Sequence, residues 1–113
     1  MATDIHAHLT NLGMSAQKVR LVVDLVRGKP AVDALVTLKF LTNGAARPVG
    51  KLLASAVANA EENFGVSRED LYVHEIFANE APTRKWRRFG ARGRFKPILR
   101  RSSHVTVVLR ERE

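Results

Sequence analysis

Between residues 84 and 101 the chain carries nine basic side chains, Arg84, Lys85, Arg87, Arg88, Arg92, Arg94, Lys96, Arg100 and Arg101, and no acidic one. Cations at that density repel one another and resist burial, so this stretch cannot serve as core. Pro82, Gly90, Gly93 and Pro97 break any helix through it. The segment must therefore be extended or looped, and next to something that neutralises it.

Its flanks show what carries it. From Leu71 the period is two, with Leu71, Val73, Glu75 and Phe77 expected on one face and Tyr72, His74, Ile76 and Ala78 on the other. A second alternating run, His104-Val105-Thr106-Val107-Val108-Leu109, follows the basic stretch. Together they read as two arms of a hairpin. Arms of about 18 residues at 3.3 Å per residue reach on the order of 60 Å, whereas a compact 100-residue domain has a radius of gyration of about 13 Å. Folding such an arm back would crowd its charges. Projection into an anionic environment is the better physical reading.

The remainder is ordinary. The 113 residues, 45% apolar and 27% charged, suit one domain with one modest core. The net charge is +8, yet outside residues 84–101 ten basic residues meet eleven acidic ones, a net of −1. The chain has no cysteine, which excludes a disulfide framework, a thiolate zinc site and a cysteine nucleophile. No apolar run approaches the roughly 20 residues that span a bilayer, and Met1-Ala2-Thr3-Asp4-Ile5-His6 lacks the pattern of a leader. The expectation is an unprocessed cytoplasmic chain without a membrane partner.

Three helices and a leading strand complete the body. Ile5, Ala7 and Leu9 alternate with His6, His8 and Thr10. Val19, Val22, Val23 and Val26 form a helical stripe that Ser15 can cap and Gly28 can stop. On the opposite face Gln17, Arg20, Asp24 and Arg27 gather, with Arg20 and Asp24 spaced to pair at i, i+4. Pro30 opens a second helix expected to bury Val32, Leu35, Val36 and Phe40. After Thr42-Asn43-Gly44, a third helix near Pro48 buries Val49, Leu52, Leu53, Ala56, Val57 and Ala60 and ends at Asn63-Phe64-Gly65. Residues 67–70 read as a polar linker. The fold class is α+β: three helices on a small antiparallel sheet, with a long projecting β-hairpin.

A search for reactive constellations finds none. Ser102, Ser103 and His104 are adjacent, but a strand points neighbours to opposite faces and no third group orients the imidazole. His104 reads as a local hydrogen-bond partner or an RNA contact. His6 and His8 share a strand face, yet two ligands do not make a zinc site. Glycines 90 and 93 lack the strand-to-helix context and the lysine-hydroxyl ending of a phosphate loop. The chain reads as a non-enzyme with no cofactor and no metal.

The basic segment suits nucleic acid instead. Seven of its nine cations are Arg, whose planar fork grips phosphate in pairs of hydrogen bonds. Trp86, Phe89 and Phe95 lie among them, and rings beside cations can stack on unpaired bases or else pin a loop to the core. Gly93 between Arg92 and Arg94 permits a close approach to a sugar-phosphate strand, or an ordinary bulge. A major-groove DNA reader would carry its charge on a helix, and a membrane-surface protein would carry a basic amphipathic one. Neither pattern is present.

Four motifs follow one another along the chain: Ser15-Ala16-Gln17-Lys18-Val19-Arg20-Leu21-Val22 continuing to Arg27-Gly28-Lys29, Ser55-Ala56-Val57-Ala58-Asn59-Ala60, Ala91-Arg92-Gly93-Arg94, and Arg101-Ser102-Ser103-His104-Val105-Thr106-Val107. In order and spacing they resemble the bacterial large-subunit ribosomal protein twenty-two family across nearly the whole chain. The resemblance implies a structural, RNA-binding component of the large ribosomal subunit that supports assembly. It implies a small α/β body on the subunit surface and a hairpin threaded through ribosomal RNA to the nascent-peptide exit tunnel. There similar proteins influence some nascent chains and macrolide susceptibility. The tip region, 82–90, holds Arg84, Lys85 and Trp86.

Many bacterial members have Glu-Gly-Pro where this chain has Glu80-Ala81-Pro82, and a more aliphatic tip where it has Trp86-Arg87-Arg88-Phe89-Gly90. The expected organisation is one domain, with a body at about 1–76 and 104–113 and an arm at about 77–103. The expected RNA-binding residues are Lys18, Arg20, Arg27 and Lys29 on the body, and Arg84, Lys85, Trp86, Arg87, Arg88, Arg92, Gly93, Arg94, Lys96, Arg100, Arg101 and His104 on the hairpin. Expected partners are large-subunit ribosomal RNA, neighbouring ribosomal proteins and the nascent peptide. The competing reading is a general RNA- or DNA-binding protein with a basic arm outside the ribosome.

Overall fold

A computed structural model describes residues 4–89 and 95–112, with the backbone alone at 84–89 and 95–100. In chain order the elements are β1 (Asp4–Leu12), α1 (Ala16–Val26), α2 (Ala31–Phe40), α3 (Ala46–Phe64), a single 3-10 turn at Arg68–Asp70, β2 (Leu71–Phe89) and β3 (Phe95–Glu111). The sheet is antiparallel in the order β1-β3-β2. This is the expected α+β fold. The hairpin of β2 and β3 pairs as far as Phe89 opposite Phe95, and the molecule measures 64 × 25 × 19 Å.

Helix α1 starts where Ser15 accepts a hydrogen bond from the Lys18 amide at 3.4 Å, and it buries Val19, Val22, Val23 and Val26 completely. Four valines restrict one another's rotamers, so this helix is held by packing more than by propensity. Gly28 follows at φ +80, a conformation costly for any residue with a Cβ. Helix α3 buries all six residues that its spacing marks out, and Gly65 closes it in the left-handed region at φ +65.

Helix α2 is rotated from the expected orientation. Ala31, Ala34 and Leu38 are buried, whereas Val32, Val36 and Phe40 face outward and Phe40 is 77% exposed. Apolar residues surround α2 on nearly all sides, so two overlapping helical faces compete, one with Ala31, Ala34, Leu35 and Leu38 and one with Val32, Leu35, Val36 and Phe40. The small pair Ala31 and Ala34 lets the helix approach the core closely. At the α3 side, a Cβ on Gly50 would meet Leu38 Cβ at 3.6 Å, an ordinary van der Waals contact.

Strand β2 also departs from strict alternation. Its register slips between Val73, opposite Leu109, and Glu75, opposite Val108, which leaves His74 as a bulge. The parity therefore flips: Leu71, Val73, Ile76 and Ala78 share the buried face, and Glu75 and Phe77 turn outward. A single extra residue moved two side chains that simple counting puts inside. The outer end of the sheet is tied by Arg110, which donates from Nε and Nη2 to the Asp4 carboxylate at 2.7 and 3.1 Å.

That guanidinium holds the Asp4 carboxyl below the usual carboxylate range, chiefly through the hydrogen bond. A depressed folded pKa means that the pair's stabilisation is present above the unfolded value of Asp and disappears as pH falls through the folded one. Asp4→Asn is expected to remove this acid-side dependence, so that parent and variant differ most near pH 7 and converge as pH falls toward 2. Denaturant midpoints between pH 2 and 7 provide the check.

Candidate nucleic-acid interface

The base of the hairpin meets the start of α1. An open cleft of about 590 Å³ is lined by residues 13–18 of the turn and helix and by Glu80, Thr83, Arg101 and Ser102 of the hairpin. Lys18 and Arg101, expected as RNA contacts from opposite parts of the sequence, are both exposed and both line it. The first turn of α1 contains no acidic residue, so its unpaired amides add to the positive field. Glu80 is the one opposing charge among the described residues of the lining.

Arg20 and Arg27 are placed by a different need. In the order β1-β3-β2, strand β2 has a free edge whose carbonyls lack a ladder partner. Arg20 Nε donates to the Ala78 carbonyl at 3.0 Å, and Arg27 donates to the Ile76 carbonyl from Nε at 3.2 Å and Nη2 at 2.7 Å. The next stretch of edge is covered by main chain: the Gly28 amide donates to Val73 O, and the Val73 amide donates to Lys29 O, each at 2.9 Å. Helix α1 and the turn after it thus seal the edge from residue 73 to 78. Seven residues along a helix span about 10 Å and return to one face, which lets Arg20 and Arg27 reach alternate carbonyls of one strand.

The expected Arg20–Asp24 pair does not form. Asp24 pairs instead with Arg27 Nη1 at 2.8 Å, because the Arg20 guanidinium is turned to the strand. Arg27→Met is expected to cost about 1–3 kcal/mol by orphaning the Ile76 carbonyl. Arg27→Lys is expected to recover only part of this, since an ammonium lacks the fork. Urea melts of the two variants measure the difference.

His104 Nδ1 accepts a hydrogen bond from the Asn11 amide at 3.0 Å. Asn11 sits at φ 55, where β1 slips register against β3, so this imidazole supports an irregular strand end. His8 Nδ1 lies 3.2 Å from Thr106 Oγ1, and the His6 and His8 rings stack with centroids 6.5 Å apart. Ser103 is fully buried between its neighbours, and its hydroxyl has no hydrogen-bond partner among the described residues. Among those residues no group of three or more His, Asp or Glu is placed to hold a metal ion.

Along the arm, backbone pairing sets Arg84 opposite Arg100, Lys85 opposite Leu99, Trp86 opposite Ile98, Arg87 opposite Pro97 and Arg88 opposite Lys96. Arg84 with Arg100, and Arg88 with Lys96, are like charges directly across a two-stranded ribbon, an arrangement unfavourable without counter-charge. Arg92, Gly93 and Arg94 lie outside the described residues. Lys29 is exposed at the opposite end of α1 from Lys18.

A helix-backed sheet drawn out into a ribbon rich in basic residues has the charge organisation of a nucleic-acid-binding protein. Residues 7–110 match the family model described as Ribosomal protein L22p/L17e, and the chain belongs to that family. Members of this class are non-enzymatic constituents of the large ribosomal subunit that bind ribosomal RNA beside other ribosomal proteins.

Proposed function

We propose that this chain is a bacterial-type member that supports large-subunit assembly and carries its hairpin tip to the wall of the nascent-peptide exit tunnel, in the cytoplasmic ribosome. The observation that carries this is the antiparallel ribbon, formed by Leu71–Phe89 and Phe95–Glu111, on which seven cations fall: Arg84, Lys85, Arg87, Arg88, Lys96, Arg100 and Arg101. A 64 Å long axis on a chain of this size supports a ribbon that extends past the body. The chain acts as one domain, with its body at about 1–76 and 104–113 and its arm at about 77–103.

On this reading Arg84, Lys85, Arg87, Arg88, Arg92, Arg94, Lys96, Arg100 and Arg101 contact phosphate. Trp86 stacks or packs at the tip, and Gly93 admits a backbone. Lys18, Lys29 and His104 contact RNA from the body. Arg20 and Arg27 do so with the donors that the β2 edge leaves over. Five to eight neutralised phosphates give log K against log salt a slope of roughly −4 to −7. Filter binding to a large-subunit RNA transcript measures it, and a slope near zero overturns the reading. The chain is also expected to sediment with large subunits and to stay bound at moderate salt.

A further inference from the structure

A second groove, of about 640 Å³, lies between the end of α2 and the start of α3. Leu35, Leu38, Leu41, Ala46, Gly50 and Ala54 give it a largely apolar floor. Lys39, Arg47 and Lys51 stand around it, all exposed, and among the described residues no acidic one lines it. The sequence has no acidic residue between Asp33 and Glu61, a fact hidden by the near-neutral sum of everything outside residues 84–101. Arg47 and Lys51 are four apart on α3, so they rise from one face.

The groove adjoins the cleft at the base of the hairpin. Met14 lines that cleft, and its Cε lies 3.5 Å from the position of a Cβ on Gly44, which lines the groove. Basic residues thus border both openings, Arg101 and Lys18 at the cleft and Arg47, Lys51 and Lys39 at the groove.

We propose that this groove is a second RNA site, taking an unpaired nucleotide with its base on the apolar floor and its flanking phosphates on Lys39, Arg47 and Lys51. The inference rests on the RNA-binding reading above and assigns it a further site. Charge complementarity selects an anionic occupant. The apolar floor selects one with a flat, weakly polar surface, which a splayed-out base provides and the outside of a duplex does not. Continuity with the hairpin cleft lets one RNA strand serve both.

The test uses the full chain and a large-subunit RNA transcript in 0.1 M salt. Each phosphate contact contributes about 0.7–0.9 to the salt slope, so the Arg47→Gln, Lys51→Gln double variant is expected to bind roughly 25- to 60-fold more weakly, with a slope shallower by about 1.4–1.8. Ala54→Glu, at an exposed helical position that tolerates Glu, is expected to weaken binding without changing the thermal transition. An Arg84→Gln, Arg87→Gln variant serves as the arm control.

If the arm control is impaired and both groove variants bind like the parent, the groove is not an RNA site and an acidic protein segment becomes its occupant. If arm and groove variants all bind like the parent, the RNA-binding reading itself falls.

Discussion

Replacing Arg84, Lys85, Arg87, Arg88, Arg92 and Arg94 together with Gln is expected to lower affinity for large-subunit RNA about 10³-fold or more at 0.1 M salt, taking four of the six as phosphate contacts. The thermal transition of the body is expected to stay in place or to rise slightly, because like charges across the ribbon, such as Arg88 opposite Lys96, no longer repel. These two results separate an arm from a core. Loss of the cooperative transition would show that the basic segment holds the body together. Unchanged affinity would show that phosphate lies elsewhere. Calorimetry and filter binding on one preparation give both answers.

The second large effect lies in the centre of the body. Leu53 on α3 is 1% exposed, and Leu53→Ala is expected to cost about 2–5 kcal/mol through lost burial and the cavity left behind. That is a large share of the 5–15 kcal/mol typical of a small domain. Phe40→Ala, by contrast, is expected to change stability by no more than about 0.5 kcal/mol, since the ring is 77% exposed on the outer side of α2. Had α2 buried the face that carries Val32, Val36 and Phe40, the Phe40 variant would be the costly one. Urea unfolding of both variants therefore tests the rotation of α2 as well as the weight of the core.

That contrast also shows where sequence reasoning succeeds. Helix α3 was legible because a single apolar stripe runs along it, and every residue of the stripe from Val49 to Ala60 is buried. Helix α2 has apolar residues on almost every side, so periodicity does not choose between Val32 with Val36 and Ala31 with Ala34. The choice falls to tertiary packing, which takes Ala31, Ala34 and Leu38 into the core. In β2 the alternating pattern was real, but the bulge at His74 reversed its sense for Ile76 and Phe77.

The charges of the hairpin could be counted directly. The work of Arg20 and Arg27 could not, because their partners are backbone carbonyls on an edge that exists only once the strand order is known. Lys39, Arg47 and Lys51 were obscured differently. They are separated in sequence by a turn and by a helix start, and only the packing of α2 on α3 gathers them.

The strand order has a consequence for how the chain is made. β3 lies between β1 and β2, yet it is the last strand to be synthesised, so β1 has no mate until residues 103–110 have been added. Helices can form early because their contacts are local, while closing the sheet waits for a loop almost as long as the protein. A chain halted before that point carries a bare strand at its leading end, open to pairing with any other copy in the same condition. Stalled or prematurely terminated products of this protein are thus expected to be far stickier than the finished one.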